Sequence, residues 1–280
     1  MNALEKSKTM WEALARSDPY WAVCTDRGKQ DGKWEAADLL ATGVIEVETV
    51  LSFVRRSGLS IRSNGKALDF GCGVGRLTQA LSRYFAECYG VDISSEMVSR
   101  ATALAKNSPN CRFLVNEAPD LSRFESNSFS FIYSSLVLQH IEADYVTMYL
   151  REFARVLEPG GILIFQIPDH RKGEWIQRMR EYLKLRTRLR RLLAFVGVPT
   201  GPPRGGWKMY CYGEQKIRYL LSSASCEIVS VRLTNSCTPD FNGNFRFLDG
   251  EPTSGFVGKL YVMVKSTGSQ ERDDETWQIR

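Results

Sequence analysis

The sequence has two histidines and no uninterrupted apolar run long enough to cross a bilayer. Its seven cysteines are odd in number and scattered from Cys24 to Cys237, with no C-x-x-C pair, which excludes the common zinc and dithiol motifs. No D-x-D cluster marks a magnesium site, so no metal is expected. The N-terminus "MNALEKSKTMWEAL" carries charge where a signal peptide needs an apolar stretch. The reading is a soluble, unexported, cytoplasmic chain with reduced thiols and no transmembrane segment.

What is present is a hydrophobic content of 43%, enough for a sizeable core in 280 residues. The net charge of +5 is uneven. Between Arg171 and Arg191 stand nine basic residues against Glu174 and Glu181, and the remainder of the chain is slightly acidic. Any electrostatic specialisation belongs to that segment. From Lys66 onward, short apolar runs alternate with helical patterns, the signature of a parallel sheet with crossover helices. The predicted strands are Ala67 to Phe70, "CYGVD", "CRFLV", "SFSFIYS" and "ILIFQI", with "EPGG" stopping the helix before the fifth. Pro168 to Arg171 then leaves the strand, Lys172 to Val196 reads as a basic amphipathic helix, and "GVPTGPPRGG" closes that insertion. Strands "EIVSVRL" and "KLYVMVK" follow, and a polar tail ends the chain.

The stretch "KALDFGCGVGRLTQAL" carries the chemistry. Gly71 and Gly73 fit a dinucleotide fingerprint, but its sixth position is Arg76 and the third glycine comes one residue early, at Gly75. Asp69, placed near the mouth of such a site, would repel a pyrophosphate and attract an ammonium group. Asp92, closing the second strand, can accept the hydroxyls of a ribose, a role shared by NAD and adenosyl cofactors.

In this order of features the chain resembles the class I S-adenosylmethionine-dependent methyltransferases, over about Leu51 to Lys265 without the insertion. "NEAPDL", "SFSFIYSSLVLQHI", "RVLEPGGILIF" and "YGEQKIRYLLSSASCEIVSV" continue the resemblance beyond the glycines. It implies an α/β, doubly wound, Rossmann-like sheet of seven mostly parallel strands, the last antiparallel. A helical N-terminal cap over residues 1–60, a domain over 61–265 with a basic helical insertion at 170–206, and a tail over 266–280 complete the organisation. It implies S-adenosylmethionine as cofactor, with Asp69 holding the amino-acid end, Gly71, Gly73 and Gly75 allowing close approach, Asp92 on the ribose and Glu117 on the adenine amine. Cys72, Ile93, Met97, Ala118, Ser135 and Leu136 extend that site, Cys72 only as a small loop residue. Arg76 either grips the cofactor carboxylate or pairs with a nearby acid. Ser130 departs from the Asp usual in the family, a change expected to touch stability more than binding.

An alcohol nucleophile must lose a proton as it attacks a methyl group, and a group titrating near neutrality suits that task. His140 and His170 each follow a predicted strand at the carboxyl edge of the sheet, where ligands bind. His140 is therefore the first candidate base, ahead of His170 and Asp169. Trp21, Trp34, Trp207, Tyr210 and Tyr212 either wall the acceptor pocket or belong to the core. The apolar stripe of the basic helix suits a lid or a contact with a second copy better than nucleic acid. The preferred acceptor is a hydroxyl of a small molecule, a sugar or secondary metabolite. Rival readings are a methyltransferase docking RNA or protein through the basic helix, and a non-catalytic cofactor-binding module.

Overall fold

A computed structural model of the chain describes residues 2–26, 28–172, 208–221 and 225–267. The N-terminal segment folds into α1 (Ala3–Ser17), α2 (Pro19–Val23) and α3 (Ala36–Arg56). α1 starts at a capping box in which Asn2 and Glu5 satisfy each other's backbone N–H groups. α2 starts because Asp18 caps it and Pro19 occupies the first turn, where no N–H is needed. α3 buries Leu39, Val47, Val50, Leu51 and Val54, the spacing of one helical face.

β1 (Lys66–Phe70), α4 (Arg76–Leu81), β2 (Glu87–Asp92), α5 (Ser95–Leu104), β3 (Cys111–Val115), β4 (Phe129–Ser134), α6 (Ala143–Val156) and β5 (Leu157–Arg171) follow. α7 (Glu214–Leu221), β6 (Cys226–Thr234) and β7 (Phe256–Lys265) complete the described elements. They form one seven-stranded sheet in the order β3-β2-β1-β4-β5-β7-β6. All neighbours are parallel except β7, which runs antiparallel to both β5 and β6. β4 is buried along its whole length because elements pack on both faces of a parallel sheet. Ala67 joins the core under α3 and α4, while Leu68 and Phe70 join the core under α6.

One strand-level expectation changes. β5 does not end before Pro168: it runs to Arg171, pairing with β7 through Arg171 opposite Phe256. A register shift between Pro168 and Arg171 accommodates the residue that cannot donate to the ladder, and the Pro168 carbonyl accepts from Tyr212 N instead. Ser130 lies at the start of β4, its hydroxyl directed to the Arg62 and Lys66 carbonyls, at the opposite end of the strand from the ligand edge. The basic helix, apart from Lys172, lies outside the described residues, as do Trp207 and the tail beyond residue 267. Among the described residues no helix is long and apolar enough to cross a membrane.

The helical cap is bolted to the sheet by charge. Arg76 Nη1 lies 2.8 Å from Glu46 Oε2, with the side chains 3% and 0% exposed, and Tyr133 Oη donates to Glu46 Oε1 at 2.8 Å. Removing one partner of a buried pair strands the other charge, a loss of about 3–5 kcal/mol. Arg76→Met is therefore expected to lower unfolding free energy by that amount in urea titration, and the double variant Glu46→Gln/Arg76→Met to recover much of it. A loss under about 1 kcal/mol in Arg76→Met would show that the pair is not the bolt.

Candidate active site

The strand order reverses between β1 and β4, and there the crevice of a doubly wound sheet opens. The loop after β1 folds back on β2, with Gly71 N and Cys72 N both donating to Val91 O at 2.8 and 3.0 Å. Gly71 has φ 77°, and a Cβ there would come within 2.2 Å of Val137 Cγ2. Gly75, at φ 82°, is the N-cap of α4, and a Cβ there would meet the Phe113 ring at 2.8 Å. The early third glycine thus seats the helix against β3 and α5. Gly73 N donates to Asp92 Oδ2 at 2.9 Å, and Gly75 N to Cys72 O. Four loop amides are therefore spent within the protein. An anion would need them free.

Above this loop lies an inner cleft of about 920 Å³, open mouth included. Gly71, Cys72, Gly73, Arg76, Asp92, Ile93, Met97, Ser135 and Leu136 line it, as the sequence leads one to expect. Asp92 accepts from Gly73 N and, at 2.9 Å, from Ser94 N; burial pushes its carboxyl upward and these donors oppose that. Leu136 holds φ 63°, a strained conformation for a branched residue, and its N–H donates to Gln166 Oε1 at 3.1 Å.

Other expected residues sit elsewhere. Asp69 is not at the mouth but beneath the loop, 1% exposed, accepting a 2.6 Å bond from the Thr78 hydroxyl. Strand alternation turns it toward α4 rather than the cleft. Its Oδ1 has no hydrogen-bond partner, and burial pushes its pKa up to about 7. Arg76 lines the cleft, but its charge is committed to Glu46. Glu117 points outward to Lys8 Nζ at 2.8 Å and does not line the cleft. Its neighbour Asn116 does line it, while binding the carbonyls of Ala118 and Asp120. Ala118 serves through that carbonyl, which also accepts from Tyr149 Oη.

The two histidines part company. His140 ends a short 3-10 turn, Leu138–His140, and borders both the inner cleft and an outer recess of about 1030 Å³. Trp11, Ala22, Val23 and Leu136 form the rest of the wall that the two share. His140 Nδ1 faces Lys208 O at 3.3 Å, so that nitrogen carries the proton, and Nε2 receives Gln139 Nε2 at 3.2 Å. Burial pushes its pKa down to about 4. His170 and Asp169 line neither recess. Asp169 is held by Lys259 Nζ at 3.0 Å and by Glu214 N at the start of α7, and His170 Nδ1 binds Asp169 at 2.8 Å.

The aromatic expectations also shift. Trp34 and Tyr212 are core residues, bonded to the carbonyls of Cys24 and Ile141. Trp21 donates to Asp26 O, Tyr210 donates to Glu142, and none of the four lines either recess. The ring at the junction is Trp11, which meets His140 edge-on at 5.3 Å. Leu4, Ser7 and Trp11 lie three and four apart on α1 and line the inner cleft together, a spacing that was available as a signal. No group of His, Cys, Asp and Glu suited to a metal occurs among the described residues.

The inner cleft suits a ligand with an adenosyl and an amino-acid part. Ser135 Oγ is buried there without a hydrogen-bond partner, Ile93 and Met97 offer an apolar slot, and Asp92 offers a carboxylate for hydroxyls. A neutral Asp69 is favoured in the fold below pH 7, so its contribution to stability is full below about 3.8 and lost as pH rises through about 7. In urea titrations of the ligand-free protein, Asp69→Asn should gain on the parent steadily between pH 4 and 7. Parallel pH profiles of the two proteins would refute the burial of this charge.

Comparisons with known proteins bear on the fold. Residues 68–165 match the family described as "Methyltransferase domain". A demethylmenaquinone methyltransferase of Staphylococcus carnosus is 29% identical over 136 residues, 45% of this chain and 55% of that protein. A 2-methyl-6-phytyl-1,4-hydroquinone methyltransferase of Synechocystis is 31% identical over 161 residues, 57% of this chain and 46% of that protein. The chain thus spans about half the length of these relatives. The crystal structure of magnesium protoporphyrin IX methyltransferase from Synechocystis with bound SAH aligns at a TM-score of 0.58 and 18% identity, covering 95% of this chain and 100% of that one. Residues 68–165 match a methyltransferase domain, and the seven-stranded sheet has the class I S-adenosylmethionine-dependent methyltransferase fold.

Proposed function

We propose that the chain transfers a methyl group from S-adenosylmethionine to a hydroxyl of a small, largely apolar organic molecule. The observation that carries this reading is the pair of recesses sharing one wall, with His140 in it. The spent loop amides and the commitment of Arg76 to Glu46 argue against a pyrophosphate in the inner cleft. Trp11, Ala22, Val23, Leu136, Met209, Pro239, Phe241 and Phe256 line the outer recess, a surface better matched to a hydrophobic metabolite than to a sugar. The quinone and hydroquinone named for the relatives are of that apolar kind.

When bound, S-adenosylmethionine supplies an electrophilic methyl group on a sulfonium. Asp92 takes the ribose, each carboxylate oxygen keeping a lone pair beyond its bond to Gly73 N or Ser94 N. Ser135 and the glycine loop would border the amino-acid end. Asn116, rather than Glu117, faces the base. His140 Nε2, released from Gln139, accepts the proton shed by the acceptor hydroxyl, and the Lys208 carbonyl on Nδ1 steadies the imidazolium formed. α1 and α2 exclude water from the junction through Trp11, Ala22 and Val23.

The test uses methyl-labelled S-adenosylmethionine with cell extract separated into small-molecule and macromolecular fractions. Label in the small fraction supports the reading; label on RNA or protein overturns the acceptor class. Asp92→Ala should weaken cofactor binding about ten- to a hundredfold by calorimetry. With an acceptor in hand, His140→Gln should lower kcat by about 10²- to 10⁴-fold and leave cofactor affinity unchanged. Because burial holds His140 neutral down to about pH 4, the acid limb of the rate should fall there rather than near 6.5. A wild-type kcat in His140→Gln would remove the base.

A further inference from the structure

We propose that Arg171 selects an acceptor bearing an anionic group, a carboxylate or phosphate, on an aromatic or apolar body. The inference rests on the methyltransferase reading for the acceptor's role, and it concerns the outer recess alone. Arg171 is the last residue of β5, opposite Phe256 in β7, and its guanidinium lies 5.2 Å from the centre of that ring. It lines the outer recess with Phe241, Phe256, Met209 and Trp11. Among the described lining residues it is the only permanently charged side chain, and no Asp or Glu accompanies it.

The described acids around the end of β5 are already taken. Glu251 is paired with Lys172 and lies 3.7 Å from His170 Nε2, while Asp169 and Glu214 share Lys259. Arg171 forms no ion pair with a described carboxylate, in contrast to Arg76, Arg155 and Arg218. A half-buried guanidinium against an aromatic ring, with no counter-charge among the described residues, has lost part of its hydration, a cost that an incoming anion offsets. The cation–π contact with Phe256 restrains the guanidinium, whose planar fork of N–H donors can make two parallel bonds to one carboxylate or phosphate. Lysine, a point charge on a mobile stem, cannot reproduce that fork. The apolar walls then take the body of the molecule, and the hydroxyl to be methylated is presented to His140, which lines the same recess.

The probe pair is 3-hydroxy-2-naphthoate and its neutral methyl ester, titrated by calorimetry into the full chain with and without S-adenosylhomocysteine. The acid should bind at least about tenfold more tightly than the ester. Arg171→Gln should abolish the preference, Arg171→Lys should keep part of it, and both variants should bind S-adenosylhomocysteine like the parent, which also reports that they fold. Equal binding of acid and ester, failure of both to bind, or a preference that survives Arg171→Gln overturns the proposal. Loss of S-adenosylhomocysteine binding by the parent chain, with the acid preference intact, would instead sink the methyltransferase reading and leave the anion site standing.

Discussion

One buried ion pair governs the geometry of this molecule. Glu46 belongs to the helical cap and Arg76 to the first turn after the glycine loop, and neither is hydrated. Two desolvated charges are tolerable only with each other and with further hydrogen bonds, which Tyr133 supplies from the sheet. The pair therefore fixes three layers at once: cap, loop and β4. Gly43 lets α3 come close enough to make the pair, since a Cβ there would fall 2.3 Å from Arg76 O. Once α3 is placed, the chain before it can reach the cleft: Glu12 accepts from Ser95 N at the first turn of α5, and α1 lays Trp11 against His140.

The same economy of polar groups explains the junction between the recesses. Leu136 is strained, and the strain persists because its N–H is bound by Gln166, whose own amide donates to Cys237 Sγ at 2.8 Å. Cys237 Sγ in turn donates to Gln139 Oε1 at 3.2 Å, and Gln139 touches His140. Four side chains from three parts of the chain thus hold the turn after β4 in one arrangement. Burial adds the electrical half: the imidazole is kept neutral and the carboxyl beneath the glycine loop is made costly to ionise.

How far the sequence was legible follows from the range of the interactions involved. The glycine loop, Asp92, Met97 and the succession of strands along the chain could be read because local rules set them: backbone conformations that only glycine adopts easily, a strand end, alternation of apolar runs. Asp69 was read at the right place and in the wrong direction, because strand alternation, fixed by which face α4 covers, decides where its carboxyl points. Glu117 and Asn116 differ by one residue, and the outward pull of Lys8 on α1 is a contact between segments far apart in sequence. His170 and Asp169 ranked behind His140, all three as residues following a strand. The extension of β5 to Arg171 and the Lys259 cluster set them apart. Glu46 was invisible, since an acid on an amphipathic helix ordinarily faces water.

The antiparallel β7 has a consequence for what this fold can evolve. Because it runs against β5, its first residues lie beside the last residues of β5, at the ligand edge. A parallel strand would bring its carboxyl end there and leave toward a crossover helix. Here the chain arrives instead through the Ser236–Phe241 and Gly255–Phe256 segments, joined by Phe256 N to Cys237 O at 3.3 Å. The outer recess thus takes Arg171 of β5, Phe256 of β7 and the Ser236–Pro239, Phe241 and Gly255 approach, while the inner cleft takes the loop after β1, the end of β2 and α1. Only the wall of Trp11, Ala22, Val23, Leu136 and His140 belongs to both. Substitutions at Arg171, Phe241 or Phe256 can therefore reshape the outer recess without disturbing the glycine loop or Asp92, so the two recesses are separable in this architecture.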